Sequence, residues 1–484
     1  MLEKALSGGK AYWTWIFGLL VVIGAGPGGY AAAFRAADLG LDVMMVDIAA
    51  RPGGVCLHRG CIPSKTYLHL AELIHDARDA ARMGVGFDAP RVDLTAMRAW
   101  KDQVVDQLAQ GLVTLTENRG IQYIQGRAVF EDDRHVRIKG RDALRVKFKN
   151  AIIAAGSHAI ALPGSDFGRG GRIMSSTGAL NLTDIPETLL IVGGGYVGLE
   201  LGMVYAALGS RITLVEVGGR LLPGVDSDLL APLQKRLKDD FESLRFRSRV
   251  TALDASEQGV DVRIEGEGAP TTLTVDRVLV AIGRRPNTET LGLEAAGVRM
   301  DEKGFIAVDE RQRTSIPHIY AVGDIAGGVM LAHKAMVEGK VAAEVIAGRS
   351  SAFDVRAIPA VVYTDPQIAW CGLTEAQARA DNRDISVQRF PWKFSGRAAT
   401  MGATEGLTKV IVDPATGRIL GVGITGRDTE GLISEGVLAI EMGALAEDMA
   451  LSVHPHPTLS ETEAEAAEIF LGSATHILPK SRQP

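Results

Sequence analysis

The sequence predicts an α/β protein in which two Rossmann-like dinucleotide-binding domains are joined to an α+β C-terminal domain. Two observations predict the first part: a pattern of apolar strand, glycine-rich turn and helix opens near residue 19, and the same pattern recurs near residue 188. A third predicts the last domain, because short strand and helix patterns alternate from about residue 356 without a glycine fingerprint. With 484 residues, the chain is long enough for several domains.

The first apolar segment allows two interpretations. Residues 11–34 contain no charged side chain, a length that could span a bilayer. The same segment contains "GAGPGG", which would be a poor membrane core, so we favour a lead-in, a buried strand, a glycine turn and a helix start. A secretory signal is not expected either, because no separate cleavage site follows the apolar region. We therefore predict no membrane association.

Residues 19–47 have the pattern of a dinucleotide-binding unit, "LLVVIGAGPGGYAAAFRAADLGLDVMMVD". Gly24 allows the tight turn, Gly26 lets the backbone approach a pyrophosphate, and Gly29 lets helix and strand pack closely. The helix N-terminus faces the phosphates, and Asp47 at the end of the second strand can accept a hydrogen bond from a ribose. Because all parts occur in order, this pattern favours a nucleotide site over a simple glycine turn.

The second copy of the pattern spans residues 188–216, "TLLIVGGGYVGLELGMVYAALGSRITLVE". Gly193, Gly195 and Gly198 take the places of the three glycines, and Glu216 ends the second strand. A chain with two such units holds two dinucleotides, or one dinucleotide and an evolutionary relic of a second site.

The acid in the second copy bears on the choice between NAD and NADP. A carboxylate at Glu216 accepts hydrogen bonds from a free 2′-hydroxyl and repels a 2′-phosphate. Arg220 lies just beyond and weakens this argument slightly. We predict that the second site prefers NAD.

Further apolar strands that end in glycine indicate where the chain passes between the two nucleotide domains. These strands lie in residues 151–157 and 278–287, and a third precedes Gly323 and Asp324. Asp324 could cap the helix that follows it or hold a ribityl hydroxyl of a flavin. The predicted domains are residues 18–157 and 282–355 for the two segments of the first nucleotide domain, 158–281 for the second nucleotide domain, and 356–484 for the last domain.

Two of the three cysteines lie in "GGVCLHRGCIPSK", residues 53–65. Zinc sites usually use shorter spacing with a second pair or histidines, and Cys371 is remote, so we predict no metal site. On a regular helix, Cys56 and Cys61 would be separated by a rise of about 7.5 Å. A disulfide tolerates Cα separations up to about 6.8 Å, so a bridge there would be strained and reducible. Such a pair beside a flavin is a two-electron relay.

The segment "SVHPHPTLSETEAE" near the C-terminus offers a histidine and a carboxylate. His454 and His456 precede prolines, which indicates extended or turning backbone, and Glu461 follows in the first turn of a predicted helix. A carboxylate that orients His456 would make it a general base. The alternative is a histidine-rich turn with a helix-capping acid, and the residues alone favour that alternative.

The composition limits the partners and the compartment. The net charge is −6, and no basic run is long enough to follow a phosphate backbone, so we predict no nucleic-acid partner. Three cysteines cannot form a disulfide framework, which favours a reducing cytoplasm.

Together these residues resemble the flavin-dependent pyridine nucleotide–disulfide oxidoreductases, from about residue 19 to residue 472. The motifs that carry the resemblance are the cysteine segment, the two glycine fingerprints, "YAVGD", "MLAHKA", "FPWKFSGRA" and "HPHPTLSE". The resemblance implies an FAD domain built from two chain segments, an inserted NAD domain and a C-terminal dimerisation domain. It also implies a homodimer in which the histidine and its acid reach into the partner's active site.

The resemblance implies a role for each matching residue. Cys56 is similar to the thiol that meets the substrate and Cys61 to the thiolate beside the flavin, while Lys65 would lie at the flavin and pair with Glu200. His456 would be the acid–base and Glu461 its partner. The FAD contacts would be Gly24, Gly26, Gly29, Asp47, Lys65, Ala128, Gly156, Asp324 and Ala332; the NAD contacts would be Gly193, Gly195, Tyr196, Gly198, Glu216, Val250 and Gly283.

Within the family, the chain is most similar to members that oxidise protein-bound dihydrolipoyl groups and reduce NAD⁺. The implied partner is a lipoylated protein: the lipoyl-bearing component of a 2-oxoacid dehydrogenase complex, the glycine cleavage H protein or another lipoyl carrier. The alternative is a glutathione-type disulfide reductase that uses NADPH, against which Glu216 and "HPTLSE" argue. His58 and Arg59 differ from the residues that family members usually have between the two cysteines. Tyr196 occurs at its position in glutathione-type members. These three positions therefore affect the assignment of the substrate.

Overall fold

The computed structural model describes residues 3–7, 10–14, 19–140, 143–168, 171–267 and 270–478, the first two ranges by their backbone alone. Residue 18 and residues 479–484, which we assigned to the first and last predicted domains, lie outside these ranges. In the apolar segment near the N-terminus, the described residues form a strand at Leu20–Ile23 and a helix that begins at Pro27. No helix in the ranges above is both long and apolar enough to cross a membrane.

The N-terminal part of the chain supplies most of the first nucleotide unit. Its elements are β1 (Glu3–Ser7), β2 (Lys10–Thr14), β3 (Leu20–Ile23), α1 (Pro27–Asp38), β4 (Val43–Asp47), α2 (Gly54–Arg59), α3 (Cys61–Asp79), a 3₁₀ turn (Ala80–Met83), α4 (Leu94–Asn118), β5 (Gln122–Phe130), β6 (His135–Gly140), β7 (Ala143–Lys147) and β8 (Asn150–Ile153).

The middle of the chain supplies the second nucleotide unit. Its elements are β9 (Ser157–Ala159), β10 (Ile173–Met174), α5 (Ser176–Leu180), β11 (Thr188–Val192), α6 (Tyr196–Ala207), β12 (Arg211–Val215), α7 (Ser227–Asp240), β13 (Ser243–Arg245), β14 (Ser248–Ala255), β15 (Val260–Gly266), β16 (Thr271–Val275), β17 (Arg277–Val280) and β18 (Arg284–Pro286).

The remaining residues return to the first nucleotide unit and then form the C-terminal unit. The returning elements are β19 (Ile319–Ala321), a 3₁₀ turn (Gly323–Ala326) and α8 (Ala332–Ile346). The C-terminal unit contains β20 (Ala360–Val362), β21 (Gln367–Gly372), α9 (Glu375–Ala380), β22 (Ser386–Pro391), a 3₁₀ turn (Trp392–Phe394), α10 (Gly396–Thr400), β23 (Leu407–Val412), β24 (Ile419–Gly426), α11 (Thr429–Met442), α12 (Ala446–Leu451) and α13 (Glu461–Leu471).

The strand pairing separates four main sheets. The first nucleotide unit has a seven-stranded sheet in the order β19-β8-β3-β4-β5-β6-β7, and the second has a parallel sheet in the order β10-β17-β11-β12-β13 beside the antiparallel sheet β14-β15-β16. The C-terminal unit has an antiparallel sheet in the order β20-β21-β24-β23-β22. The predicted fold class is therefore confirmed.

The central strand of the first unit explains why this sheet is buried on both faces. In β3, Leu20 and Val22 pack among residues of α1 and α8, whereas Val21 and Ile23 pack on the opposite face. A continuous apolar run is what a parallel strand covered on both sides requires.

The chain crosses between the two nucleotide units at β9 and β18, which pair with each other in antiparallel register. β19 of the last segment pairs with β8 of the first, so the first unit is built from two separate stretches of chain. The exact domain bounds given above stay a prediction.

Candidate redox and cofactor site

The first glycine turn has the backbone shape that its sequence predicts. Gly24 has a φ of +102°, and a Cβ atom there would lie 2.2 Å from the carbonyl oxygen of Ala154, the residue that follows β8. A Cβ on Gly29 would lie 1.9 Å from the carbonyl oxygen of Gly24, so only glycine lets α1 approach the turn. A Cβ on Gly26 would meet only Gly54, at 3.9 Å, so the backbone is open to a ligand on this side.

The second glycine turn repeats this geometry. Gly193 has a φ of +108°, and a Cβ there would lie 2.5 Å from the carbonyl oxygen of Ala281. A Cβ on Gly198 would lie 2.4 Å from the carbonyl oxygen of Gly193, while one on Gly195 would have no neighbour within 4 Å. The three glycines of each fingerprint thus have the same three functions: a turn, an open backbone and close packing.

The acid at the end of each second strand is held by backbone N–H groups. Asp47 accepts hydrogen bonds from the backbones of Ala25 at 2.6 Å and Ala49 at 2.8 Å. Glu216 accepts them from Gly194 and Gly218, both at 2.6 Å. Each carboxylate oxygen keeps a lone pair free, which can accept a ribose hydroxyl.

The side chain of Arg220 is engaged by its own loop and not by the ribose-binding position. Its guanidinium group donates a hydrogen bond to the carbonyl oxygen of Val225, within its own loop. This contact weakens the argument that Arg220 binds a 2′-phosphate, and it favours NAD at Glu216.

A cavity of about 730 Å³ lies between the first glycine turn, the cysteine segment and α6, and we call it the cofactor cavity. Its volume suits a large cofactor. The predicted site residues that line it are Gly24, Gly26, Asp47, Cys56, Cys61, Lys65, Ala128, Gly156, Tyr196, Glu200, Asp324 and Ala332. A flavin dinucleotide requires an open backbone for its pyrophosphate, an acceptor for its ribose and a helix N-terminus. Gly26, Asp47 and Ala332 supply these three groups, so the residues fit FAD.

The two thiols are brought together by a break between helices. Cys56 lies in α2 and Cys61 begins α3, with Gly60 between them at φ −144° and ψ −113°. A Cβ on Gly60 would lie 2.9 Å from the carbonyl oxygen of Val55, so the break needs a glycine. The cysteines are free thiols that hydrogen-bond to each other. The strain predicted for a bridge on one regular helix does not apply here, because Gly60 divides the segment into two helices.

The two thiols differ in acidity. Their mutual hydrogen bond raises the pKa of Cys56, and burial raises it further. The same hydrogen bond lowers the pKa of Cys61 to about 7, against the effect of burial and with help from the positive charge of Lys65. Cys61 is therefore the thiolate of the pair and Cys56 its hydrogen-bond donor.

The predicted pairing of Lys65 with Glu200 is present. Lys65 Nζ donates to Glu200 Oε2 at 2.7 Å, and the Glu200 side chain is buried on α6. The pair joins α3 of the first nucleotide unit to α6 of the second, and both residues line the cofactor cavity.

Asp324 is connected to two residues that the sequence did not suggest. The Ser157 hydroxyl donates to the Asp324 carboxylate, and Arg284 Nε donates to the Ser157 hydroxyl at 2.7 Å. Ser157 belongs to β9 and Arg284 to β18, so the network lies where the chain crosses between the two nucleotide units. No sequence signal marked it, because Ser157 lies more than 100 residues before the other two members in the chain.

His456 and Glu461 form the predicted pair but lie outside the cofactor cavity. His456 Nδ1 is 2.8 Å from Glu461 Oε1, and the other carboxylate oxygen accepts the backbone N–H of Thr458 at 2.7 Å. This N–H and the imidazole lower the pKa of Glu461 against the effect of burial, so it is an anion beside the ring. The His456 side chain is 73% exposed.

His454, the other histidine of the motif, has a partner that the sequence did not reveal. Its Nε2 is 2.9 Å from Glu435 Oε1, and its Nδ1 is 2.8 Å from the carbonyl oxygen of Ser452. Glu435 lies on α11, so this contact fixes the histidine segment to that helix within the C-terminal unit.

Several predicted contacts lie outside the cofactor cavity. Gly29 and Gly198 act through packing, as described, whereas Gly193, Gly195, Glu216 and Gly283 lie around the second glycine turn and its neighbouring strand end. Val250 is buried with the apolar core of the second nucleotide unit. Their contacts with NAD stay a prediction.

The fold and these residues define a flavin-linked dithiol oxidoreductase. Residues 19–339 match the family described as pyridine nucleotide-disulphide oxidoreductase, and residues 358–467 match its dimerisation domain. The chain belongs to the pyridine nucleotide-disulphide oxidoreductase family, which confirms FAD and NAD as its cofactors.

Comparison with known proteins indicates which members of this family the chain is similar to. The chain is 46% identical to the dihydrolipoyl dehydrogenase of Vibrio parahaemolyticus over 460 residues, which are 95% of this chain and 96% of that protein. Identity to the dihydrolipoyl dehydrogenase of Haemophilus influenzae is also 46%, with the same coverage. The solved structure of the HOCl-induced flavoprotein disulfide reductase RclA from Escherichia coli has a TM-score of 0.83 and 28% identity, covering 93% of this chain and 99% of that one.

Proposed function

We propose that this chain oxidises protein-bound dihydrolipoyl groups to lipoyl groups and reduces NAD⁺ to NADH. The observation that carries the proposal is that Cys56 and Cys61 line the cofactor cavity together with Lys65 and Glu200. The names of relatives that are 46% identical over nearly the whole chain support the substrate. The glutathione-type alternative is not favoured, because these relatives are dihydrolipoyl dehydrogenases.

The thiol pair carries out the exchange with the substrate. In the oxidised pair, a substrate thiolate attacks the sulfur of Cys56, a mixed disulfide forms and Cys61 leaves as a thiolate. The second substrate thiol then attacks the mixed disulfide, the lipoyl disulfide closes and Cys56 is released. The low pKa of Cys61 favours it as the leaving group.

The cofactor cavity binds FAD through the first glycine turn, Asp47 and the N-terminus of α8. Bound FAD supplies the two-electron chemistry that links the reduced cysteine pair to NAD⁺. Lys65, which is paired with Glu200, places its ammonium charge near Cys61, and this charge lowers the pKa of Cys61 and favours its thiolate form. The second glycine turn and Glu216 bind NAD.

His456 accepts the proton that the substrate thiol loses. Its Nδ1 donates to anionic Glu461, which leaves Nε2 free as the base. We propose that this base serves the partner's thiol pair in a homodimer, because His456 lies outside the cofactor cavity of its own chain.

We further propose that the dihydrolipoyl group is carried by another lipoylated protein in the cytoplasm. Candidates are the lipoyl-bearing component of a 2-oxoacid dehydrogenase complex, the glycine cleavage H protein and other lipoyl carriers. The small number of cysteines supports a reducing compartment.

The test is steady-state kinetics with free dihydrolipoamide and a panel of purified lipoyl proteins, with NAD⁺ or NADP⁺ as acceptor. We expect turnover of dihydrolipoamide, and a kcat/KM for NAD⁺ at least about a hundredfold above that for NADP⁺, from one well-placed carboxylate. Reduction of glutathione disulfide by NADPH without dihydrolipoamide turnover would contradict the proposal.

A further inference from the structure

The ring of Tyr363 lies beneath the Lys65 ammonium group. Lys65 Nζ is 4.3 Å from the centroid of the ring, within the range of cation–π attraction. The backbone N–H of Tyr363 donates to Glu200 Oε1 at 3.0 Å, while Lys65 occupies the other oxygen of that carboxylate. One aromatic residue therefore contacts both members of the ion pair.

Tyr363 reaches this place from a different part of the fold. It follows β20 in the C-terminal unit, whereas Lys65 lies on α3 and Glu200 on α6. A second cavity of about 210 Å³ is lined by both Tyr363 and Lys65. The Lys65 side chain thus passes between the cofactor cavity and this second cavity, and the Tyr363 ring supports it on the second side.

The position of the Lys65 charge affects the thiols. The largest effects on the pKa of Cys61 are the hydrogen bond from Cys56, which lowers it, and burial, which raises it. The Lys65 charge is the next largest effect and lowers this pKa, whereas the Glu200 charge raises it. A lysine is a point charge on a flexible four-carbon stem, so its effect depends on what fixes its end. A neutral ring fixes an ammonium group without adding a negative charge that would oppose the thiolate.

We propose that Tyr363 is a positioning residue of the redox centre: its ring fixes the Lys65 ammonium group beside Glu200 and within electrostatic reach of Cys61. This inference rests on the proposed function in one respect, because the proposed function gives the thiol pair its redox role. The acidity of Cys61 can be measured without any lipoyl substrate, so the two proposals can fail separately.

The first test uses the FAD-loaded dimer of a Cys56→Ser chain, in which Cys61 is the reactive thiol because Cys371 is buried. The rate of Cys61 alkylation by iodoacetamide, followed by mass spectrometry across pH, gives its pKa, and the long-wavelength absorbance of the thiolate beside the flavin gives a second reading. Adding Tyr363→Leu should raise the pKa by at least about half a unit. Adding Tyr363→Phe, which keeps the ring, should leave it near the parent value.

Phe390→Leu is the matched control, because it removes a buried ring from the same C-terminal unit away from the thiols. If Phe390→Leu raises the pKa as much as Tyr363→Leu does, the effect is a general loss of packing and the proposal is wrong. The proposal also fails if Tyr363→Leu leaves the pKa unchanged or lowers it.

A second test replaces Tyr363 with fluorinated phenylalanines, and it applies even if the Tyr363→Leu variant does not fold. Fluorine withdraws electron density from the ring and weakens cation–π attraction with little change of shape. We expect the pKa of Cys61 to rise stepwise with the number of fluorine atoms. A flat series would overturn the proposal.

Discussion

Cys56 and Cys61 have the same functional group in different electrostatic surroundings. Cys61 receives a hydrogen bond and lies near the Lys65 charge, whereas Cys56 donates that hydrogen bond and has a raised pKa. The residue between the two helices, Gly60, makes this arrangement possible because no side chain blocks the close approach of the backbones. Two thiols with separated pKa values can take two different roles in one reaction.

Single substitutions should separate these roles. Cys56→Ser should abolish lipoyl turnover and retain bound FAD, because the thiol that meets the substrate is lost but Cys61 remains. Cys61→Ser should also abolish turnover, and in addition remove the long-wavelength absorbance of the thiolate beside the flavin. Spectra and dihydrolipoamide assays of both variants measure this. If Cys61→Ser keeps the absorbance and Cys56→Ser loses it, the two roles are reversed.

Glu463 is a buried acid that the proposed reaction does not use. Its side chain is fully buried in the C-terminal unit, and neither carboxylate oxygen has a hydrogen-bond partner among the described residues. Burial, followed by the negative charge of Glu435, raises the pKa of Glu463 well above its usual value. Unfolding gives this carboxyl its ordinary pKa, so Glu463 makes stability depend on pH.

The Glu463→Gln variant should show this dependence. The stabilising effect of the neutral acid is complete below its unfolded pKa and is lost as pH rises toward the folded pKa, by about 1.4 kcal/mol per pH unit. We therefore expect Glu463→Gln to gain stability relative to the parent as pH rises from 5 to 8. Thermal unfolding of the FAD-loaded protein across this range measures the difference. The exposed Glu447→Gln change on α12 is the control, and equal pH dependence in both variants would contradict the prediction.

At the element scale, a buried ionic cluster connects α7 of the second nucleotide unit to the C-terminal sheet. Lys409 on β23 is 1% exposed, and its Nζ donates to Asp226 at 2.6 Å, Asp228 at 2.8 Å and Glu375 at 3.0 Å. Arg389 on β22 also pairs with two of these acids. The three carboxylates are close enough together to hold a metal ion, but the Lys409 ammonium group already lies among them.

Replacing Lys409 should loosen the contact between these units. Lys409→Met leaves the buried carboxylate of Asp226 without its cation, while Arg389 still pairs with Asp228 and Glu375. Removing one partner of a buried ion pair costs about 3–5 kcal/mol in comparable cases. We expect a large drop in the denaturant concentration at the unfolding midpoint, measured on the FAD-loaded protein. Lys393→Met, at an exposed lysine of the same unit, is the control. A cost no larger than that of the control would show that the cluster does not stabilise the fold.

The sequence predicted the features that depend on local backbone geometry. The glycines of both turns were predictable because a side chain at Gly24 or Gly193 would collide with the neighbouring strand end, and the acids follow at a fixed distance. The ion pair of Lys65 and Glu200 followed only from the family resemblance, since 135 residues separate its members. Tyr363 was not predictable at all, because its contact depends on how three units pack.

At the scale of the whole molecule, the C-terminal unit exposes several large apolar side chains. They include Leu438 and Met442 of α11, Leu451 of α12, and Val453, which is 99% exposed. We expect a second copy to cover side chains of this kind, because they belong to a dimerisation domain. Val453 lies three residues before His456, so covering Val453 would bring the base near the partner chain.

Mixing two inactive chains tests whether the active site is shared. A Cys56→Ser chain keeps its base, and a His456→Gln chain keeps its thiols, so a mixed dimer has one site with both groups intact. Random exchange of equal amounts makes half of the dimers mixed, and each has one working site of two, so activity should return to about a quarter of the parent value. Dihydrolipoamide turnover after subunit exchange, confirmed by native mass spectrometry, measures this. Activity that stays at the level of the unmixed chains would mean that His456 acts within its own chain or that another residue is the base.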